Sequence, residues 1–255
     1  MPEPTSAEWT SADMMNVAAA RELLDGDVCL VGVGPPNLAA NLARRTHAPN
    51  CRLVYESGAI DAKPKKLPLS IGDDDLAATA ISVVSVPEMF NFWVGAGRID
   101  VGFLGAAQID RFGNINTTVI GDHANPKVRL PGAGGAPEIA AAAGRVIVIV
   151  KQSPRTFVER VDFVSSVGYG PTGRERQAPG AGPTLVITDH GVLEPDPVTN
   201  ELTLTRLHPG VTVEQAIAAT GWPLKVADSI EAVAAPSERE LDALRNLRNR
   251  EPVDA

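Results

Sequence analysis

In the stretch LVYESGAID, residues 53 to 61, one carboxylate, Glu56, stands where an apolar run gives way to Ser57 and Gly58. A carboxylate in that setting suits attack on an acyl group or work as a general base, and its small neighbours leave room for a substrate. Two glycine-rich turns accompany it. GVGPPN, from Gly32 through Gly34 to Asn37, resembles the start of a dinucleotide fingerprint, but Asn37 replaces the third glycine, and Pro35 and Pro36 remove two backbone donors. LPGAGGA, residues 130 to 136, holds Gly132, Gly134 and Gly135, whose N–H groups suit an oxyanion or a phosphate. Lys127 and Arg129 just before it add positive charge for anionic phosphates. Each turn can equally be a plain change of chain direction.

Other chemistries find less support. His47, His123, His190 and His208 are dispersed, with no second ligand at metal spacing, so no metal site is expected. The Y-E-S-G setting of Ser57 is not a nucleophile elbow. Cys29 and Cys51 are too few for a disulfide framework and read as buried free thiols.

The elements that must position Glu56 form a βαβ pattern. SADMMNVAAARELLDGD has helical spacing and a glycine stop at Gly26. VCLVGV follows as a strand, GPPN turns the chain, LAANLARRTH is a helix and RLVYES a second strand. A strand end is where open α/β sheets bind their ligands. Further along, IDVGFLG and NINTTVIG read as strands, APEIAAAAG as a short helix and RVIVIVK as a fully buried parallel strand. Residues 184 to 211 read as three strands with DPVTNE as a hairpin turn, which makes the sheet mixed. Thr212 with Gln215, and Ser237 with Glu240, are capping-box pairs. The Gly- and Pro-rich residues 167–183 read as a long exposed loop, functional or merely solvated. The charged helix 236–250 carries Leu241, Leu244 and Leu247 on one stripe. It is either a plain surface helix or one that closes the domain or meets a partner.

The 255 residues suffice for a sizeable core and read as a single α/β domain behind a polar leader, residues 1–12. With 44% hydrophobic and 21% charged residues the composition is that of a globular enzyme, while the 4% aromatic content argues against base stacking. A net charge of −8 with no basic stripe argues against nucleic acid and anionic membranes. The leader lacks the basic start and apolar stretch of a secretion signal, and no apolar run reaches the roughly 20 residues that span a bilayer. A cytoplasmic protein is expected.

Five stretches, VGVGPPNLAANLA, LVYESG, VGFLGAAQIDRFGNIN, LPGAGGA and LVITDHGVLE, together resemble the β subunit of class I CoA-transferase-fold enzymes, in the family's order, over roughly Met15 to Val226. The resemblance implies that family's fold, with a mixed, mainly parallel central sheet flanked by helices. In the family a glutamate in an E-x-G setting attacks an acyl-CoA thioester and carries CoA as a glutamyl thioester, and Glu56 matches that position. Gly32, Gly34, Ser57, Gly58, Asn114, Lys127, Arg129, Gly132, Gly134 and Gly135 are the implied substrate- and CoA-binding residues. An α subunit partner, an α2β2 assembly and an acyl-CoA substrate are also implied, with no cofactor beyond the CoA that enters with the substrate.

Within the family, the resemblance is closest to the β subunit of the actinobacterial cholesterol ring-cleaving hydrolases. That implies water addition and carbon–carbon cleavage of a steroid-derived ring with the thioester retained, and Glu56 as a base. A CoA transferase with a glutamyl thioester is the alternative, and a noncatalytic subunit completing the α chain's pocket is the third reading.

Overall fold

The structure is a computed structural model and describes residues 9–249. Residues 1–8 of the leader and the last residue of the expected helix 236–250 lie outside the described residues. In chain order the first half runs α1 (Ser11–Arg21), β1 (Val28–Val31), α2 (Pro35–Thr46), β2 (Arg52–Tyr55), β3 (Ala59–Ile60), α3 (Asp74–Thr79), β4 (Ser82–Val83), α4 (Val86–Glu88), a π-helical turn (Met89–Val94) and β5 (Val101–Leu104). Two hairpins follow, β6 (Gln108–Ile109) with β7 (Ile115–Asn116), and β8 (Val119–Gly121) with β9 (Pro126–Arg129). The rest is α5 (Ala136–Ala142), β10 (Arg145–Ile149), β11 (Pro183–Ile187), β12 (Gly191–Pro195), β13 (Leu202–Leu207), α6 (Val213–Ala218), β14 (Lys225–Ala232) and α7 (Glu238–Arg248).

Ten strands make one sheet in the order β14-β13-β12-β11-β10-β5-β1-β2-β3-β4. The run β11-β10-β5-β1-β2 is parallel throughout, and antiparallel pairing begins outside it, at β12 and at β3. This is the mixed, mainly parallel sheet expected. Alternation along the strands builds two cores. Cys29, Val31, Leu53, Tyr55, Ile147 and Ile149 face α1, α2 and α7, while Leu30, Val54, Val146 and Val148 face α5, α6 and the π-helical turn. Leu241, Leu244 and Leu247 are buried, so α7 closes the first layer by packing on α2 and α1. Both cysteines are free and buried, and burial pushes the Cys51 thiol up to about 12. No helix among the described residues is long and apolar enough to cross a membrane.

Several elements differ from the sequence reading. α1 ends at Arg21, short of Gly26, after starting in a capping box between Thr10 and Asp13. Pro35 and Pro36 do not turn the chain; they open α2, where the first N–H groups have no helical partner and proline's fixed φ suits the helix. The turn lies one step earlier, with Gly34 at φ +90°. NINTTVIG is two strands, because Asn116 Oδ1 accepts the N–H groups of Thr118 and Val119 and breaks the extended path between β7 and β8. Residues 167–183 are partly exposed, as expected, and anchored to the fold. Gly168, Tyr169 and Gly170 are buried, and the Arg176 guanidinium donates to the carbonyls of Ala140, Val167, Gly168 and Gly180.

Candidate active site

From β1 the chain crosses to β2 on one side, and β5 later pairs with β1 on the other. In open α/β sheets such a reversal of strand order is where ligands bind, at the carboxyl ends of the strands. Val31 is in register with Tyr55, and Gly32 and Glu56 are the residues that follow them at that rim. Gly32 and Gly34 have open space where a side chain would project. Glu56 therefore occupies the strand end that the sequence reading gave it, with the first glycine turn beside it.

The second glycine turn arrives from the far side of the chain. A methyl group on Gly135 would lie 3.3 Å from the Glu56 carboxyl carbon and 2.6 Å from Phe90 Cε1. The carboxyl, the aromatic ring and the glycine backbone thus converge on one point. Gly135 caps α5, and Gly132 and Gly134 before it again have open space above them. The turn is tied down by Gly132 N–H donating to Thr117 O at 2.9 Å.

Glu56 is partly buried, and no hydrogen-bond donor among the described residues reaches its carboxylate. Burial pushes its pKa upward, and the Glu138 carboxylate, in the first turn of α5, pushes it the same way. A carboxylate that is desolvated and free of donors keeps its electron density for attack on carbon.

The remaining expected residues divide. Ser57 is partly buried at the turn. Gly58 is held by the fold itself, at φ +102°, with its N–H donating to Tyr55 O at 2.9 Å and its Cα face against the Val84 backbone. Lys127 and Arg129 lie exposed on the β8–β9 hairpin that leads into the second glycine turn, and Arg129 donates to His123 O at 3.0 Å. Asn114 is elsewhere. Its amide donates to Asp110 and to Gly170 O and accepts from Gly168 N–H, so it ties the β6–β7 turn to residues 168–170. That turn lines a cavity of about 620 Å³ with Arg160, Val161 and Val164. Gly113 abuts Pro183 at the amino end of β11, which puts this cavity at the end of the sheet opposite Glu56.

Phe90 and Glu138, which lie about Glu56, and Asn37, which lies behind it in the core, were not among the expected site residues. A signal for the first was present: Phe90, Phe92 and Trp93 put two of six phenylalanines and one of three tryptophans within four residues. Asn37, which breaks the dinucleotide fingerprint, accepts the Tyr55 hydroxyl at 2.9 Å and so joins α2 to the end of β2. No group of three or more metal-ligating side chains occurs among the described residues.

A family model described as Coenzyme A transferase matches residues 12–219. The chain belongs to the coenzyme A transferase family. Among members of the coenzyme A transferase family, it is 58% identical over 245 residues to the B subunit of the 3-oxoadipate CoA-transferase of Pseudomonas knackmussii, covering 95% of this chain and 94% of that protein. It is 36% identical over 235 residues to the B subunit of the glutaconate CoA-transferase of Acidaminococcus fermentans, covering 89% and 88%. The crystal structure of glutaconate CoA-transferase from that organism matches the fold with a TM-score of 0.86 at 34% identity, over 95% of each chain. Against the cholesterol ring-cleaving hydrolase IpdB subunit of Mycobacterium tuberculosis the identity is 26% over 260 residues, covering 95% and 98%. The ring-cleaving hydrolase expectation is therefore overturned: 58% identity to a transferase subunit outweighs 26% to the hydrolase over equal shares of this chain.

Proposed function

We propose that this chain is the B subunit of a cytoplasmic CoA transferase, working with an A subunit in an α2β2 assembly, that passes CoA from an acyl-CoA donor to a dicarboxylic acid of the 3-oxoadipate kind. The observation that carries the reading is Glu56 at the carboxyl rim of the sheet, partly buried and without a hydrogen-bond donor among the described residues, with Gly135 against its carboxyl. The acid class follows the 58% relative, named for 3-oxoadipate, and the 36% relative, named for glutaconate, which is also a dicarboxylate.

In this reading the Glu56 carboxylate attacks the donor thioester carbonyl, CoA departs as its thiolate and a mixed anhydride remains. The thiolate then attacks the Glu56 carbonyl, the donor acid leaves as carboxylate and CoA is held on Glu56. The acceptor acid runs the two steps in reverse. The open faces of Gly32, Gly34, Gly132 and Gly134 let substrate approach the backbone, and Lys127 and Arg129 supply cations for the CoA phosphates.

The test uses the purified two-subunit complex with succinyl-CoA as donor. Borohydride or hydroxylamine should trap an adduct on the Glu56 peptide, and E56Q should lower transfer to 3-oxoadipate by more than about 10³-fold with the complex intact. Transfer at the parent rate in E56Q, or the lack of any adduct, would overturn the proposal.

A further inference from the structure

A carrier glutamate faces a competitor that a general base does not. While CoA is held on Glu56, water can attack the same carbonyl carbon: its oxygen adds, the carbon–sulfur bond breaks, CoA leaves as thiolate, the proton goes to solvent and the Glu56 carboxylate is restored. Each such event wastes one thioester. Transfer thus requires a wall against water at Glu56.

The ring of Phe90 is placed for that duty. Its edge and the Glu56 carboxyl carbon crowd the same point over Gly135. The ring sits on the π-helical turn Met89–Val94, where Gly95 N–H donates to Phe90 O at 2.8 Å and Arg98 N–H to Trp93 O at 2.9 Å, each skipping five residues. Such turns are rare and frequent at functional sites. Met89 and Val94, both fully buried, fix the two ends of the turn in the core, and the turn packs against α5. Phe90 itself remains partly exposed, facing the rim. Gly135 completes the arrangement, since any side chain there would collide with the ring.

We infer that Phe90 is a positioning residue that excludes water from the CoA-bearing Glu56, so that it sets the ratio of transfer to hydrolysis. The inference rests on the transferase reading above. Its test is that ratio in the two-subunit complex. Succinyl-CoA is supplied with 3-oxoadipate to measure transfer, and without acceptor to measure free thiol release. F90A should raise hydrolysis relative to transfer by about tenfold or more, and F90L, which keeps most of the apolar bulk, by less, roughly threefold. A ratio unchanged in both variants, with the Glu56 adduct still trapped in the parent complex, overturns this inference and leaves the transferase reading standing. Absence of the adduct in the parent overturns both. If F90A does not assemble, F90L carries the test: a rise supports the inference and no rise overturns it. A merely structural role would lower transfer and hydrolysis together.

Discussion

The Tyr55 hydroxyl donates to Asn37 Oδ1 at 2.9 Å, inside the core, one residue before Glu56. Burial pushes the phenol well above its ordinary range, so it stays a donor at every physiological pH. The same Asn37 oxygen accepts from Asn41 Nδ2 at 2.8 Å, and the Asn37 amide donates to Pro68 O at 3.3 Å. This short network fastens the end of β2 to the start of α2. Because Asn41 still serves the acceptor, Y55F should cost only about 1 kcal/mol, read as the shift of the urea unfolding midpoint.

Glu56 must be ionised to attack, so transfer should fall as pH is lowered, with a midpoint above the ordinary carboxylate range. E138Q removes a like charge, makes ionisation easier and should move that limb of the kcat/KM profile to lower pH. A limb that stays put in E138Q would show that burial alone sets it.

Stability carries the opposite sign at the same residue. A folded-state pKa above the unfolded value means that the ionised form is penalised in the fold. The penalty is absent below the unfolded pKa and complete above the folded one. E56Q should therefore unfold at higher urea than the parent at neutral pH, with the gain fading in acid, while its activity is lost.

At the turn after Glu56, a side chain on Gly58 would need φ +102° and would lie 2.9 Å from the Val84 carbonyl carbon. Val84 N–H donates back to Gly58 O at 3.0 Å, so neither segment can retreat cheaply. G58A should destabilise the chain by about 3 kcal/mol, seen in thermal unfolding.

Far from the site, Arg21 holds Glu240 through two 2.8 Å hydrogen bonds and so clamps α7 to α1. Burial alone would raise the Glu240 pKa. Hydrogen bonds from Arg21 and from Ser237 outweigh it and hold the group at about 2, against an ordinary 4.5. A depressed folded value contributes stability above the unfolded pKa that is lost as pH falls through the folded one. R21A should thus be less stable than the parent at neutral pH, and the two urea midpoints should converge between about 4.5 and about 2.

The legible parts of the fold are those where local pattern and tertiary role agree. VCLVGV and RLVYES read as strands because they are apolar runs buried on both faces, and the Thr212–Gln215 and Ser237–Glu240 pairs cap their helices by contacts within one turn. Glu56 was legible as a strand-end carboxylate for the same reason. Phe90 was legible only as part of an aromatic cluster, because a π-helical turn has no propensity signature and Gly135, which its ring abuts, is distant in sequence. β14 escaped as well, being a largely exposed strand without alternation at the sheet edge. The choice of relative failed for another reason. The five motifs that carried it build turns and strands of the sheet, and they are silent about the acyl group.

The π-helical turn closes its hydrogen bonds over five residues where an α-helix needs four, so it holds a residue that a regular helix would not. Removing one residue between Met89 and Val94 would rotate one end of the turn against the other by roughly 100°, so that Phe90 and Val94 could not both keep their present places. A lineage could therefore lose or regain the aromatic cover over Glu56 by a single-codon indel, with no change in any residue that touches substrate. Turn length, as much as residue identity, is then a character to compare when members of this family are sorted by the reaction they perform.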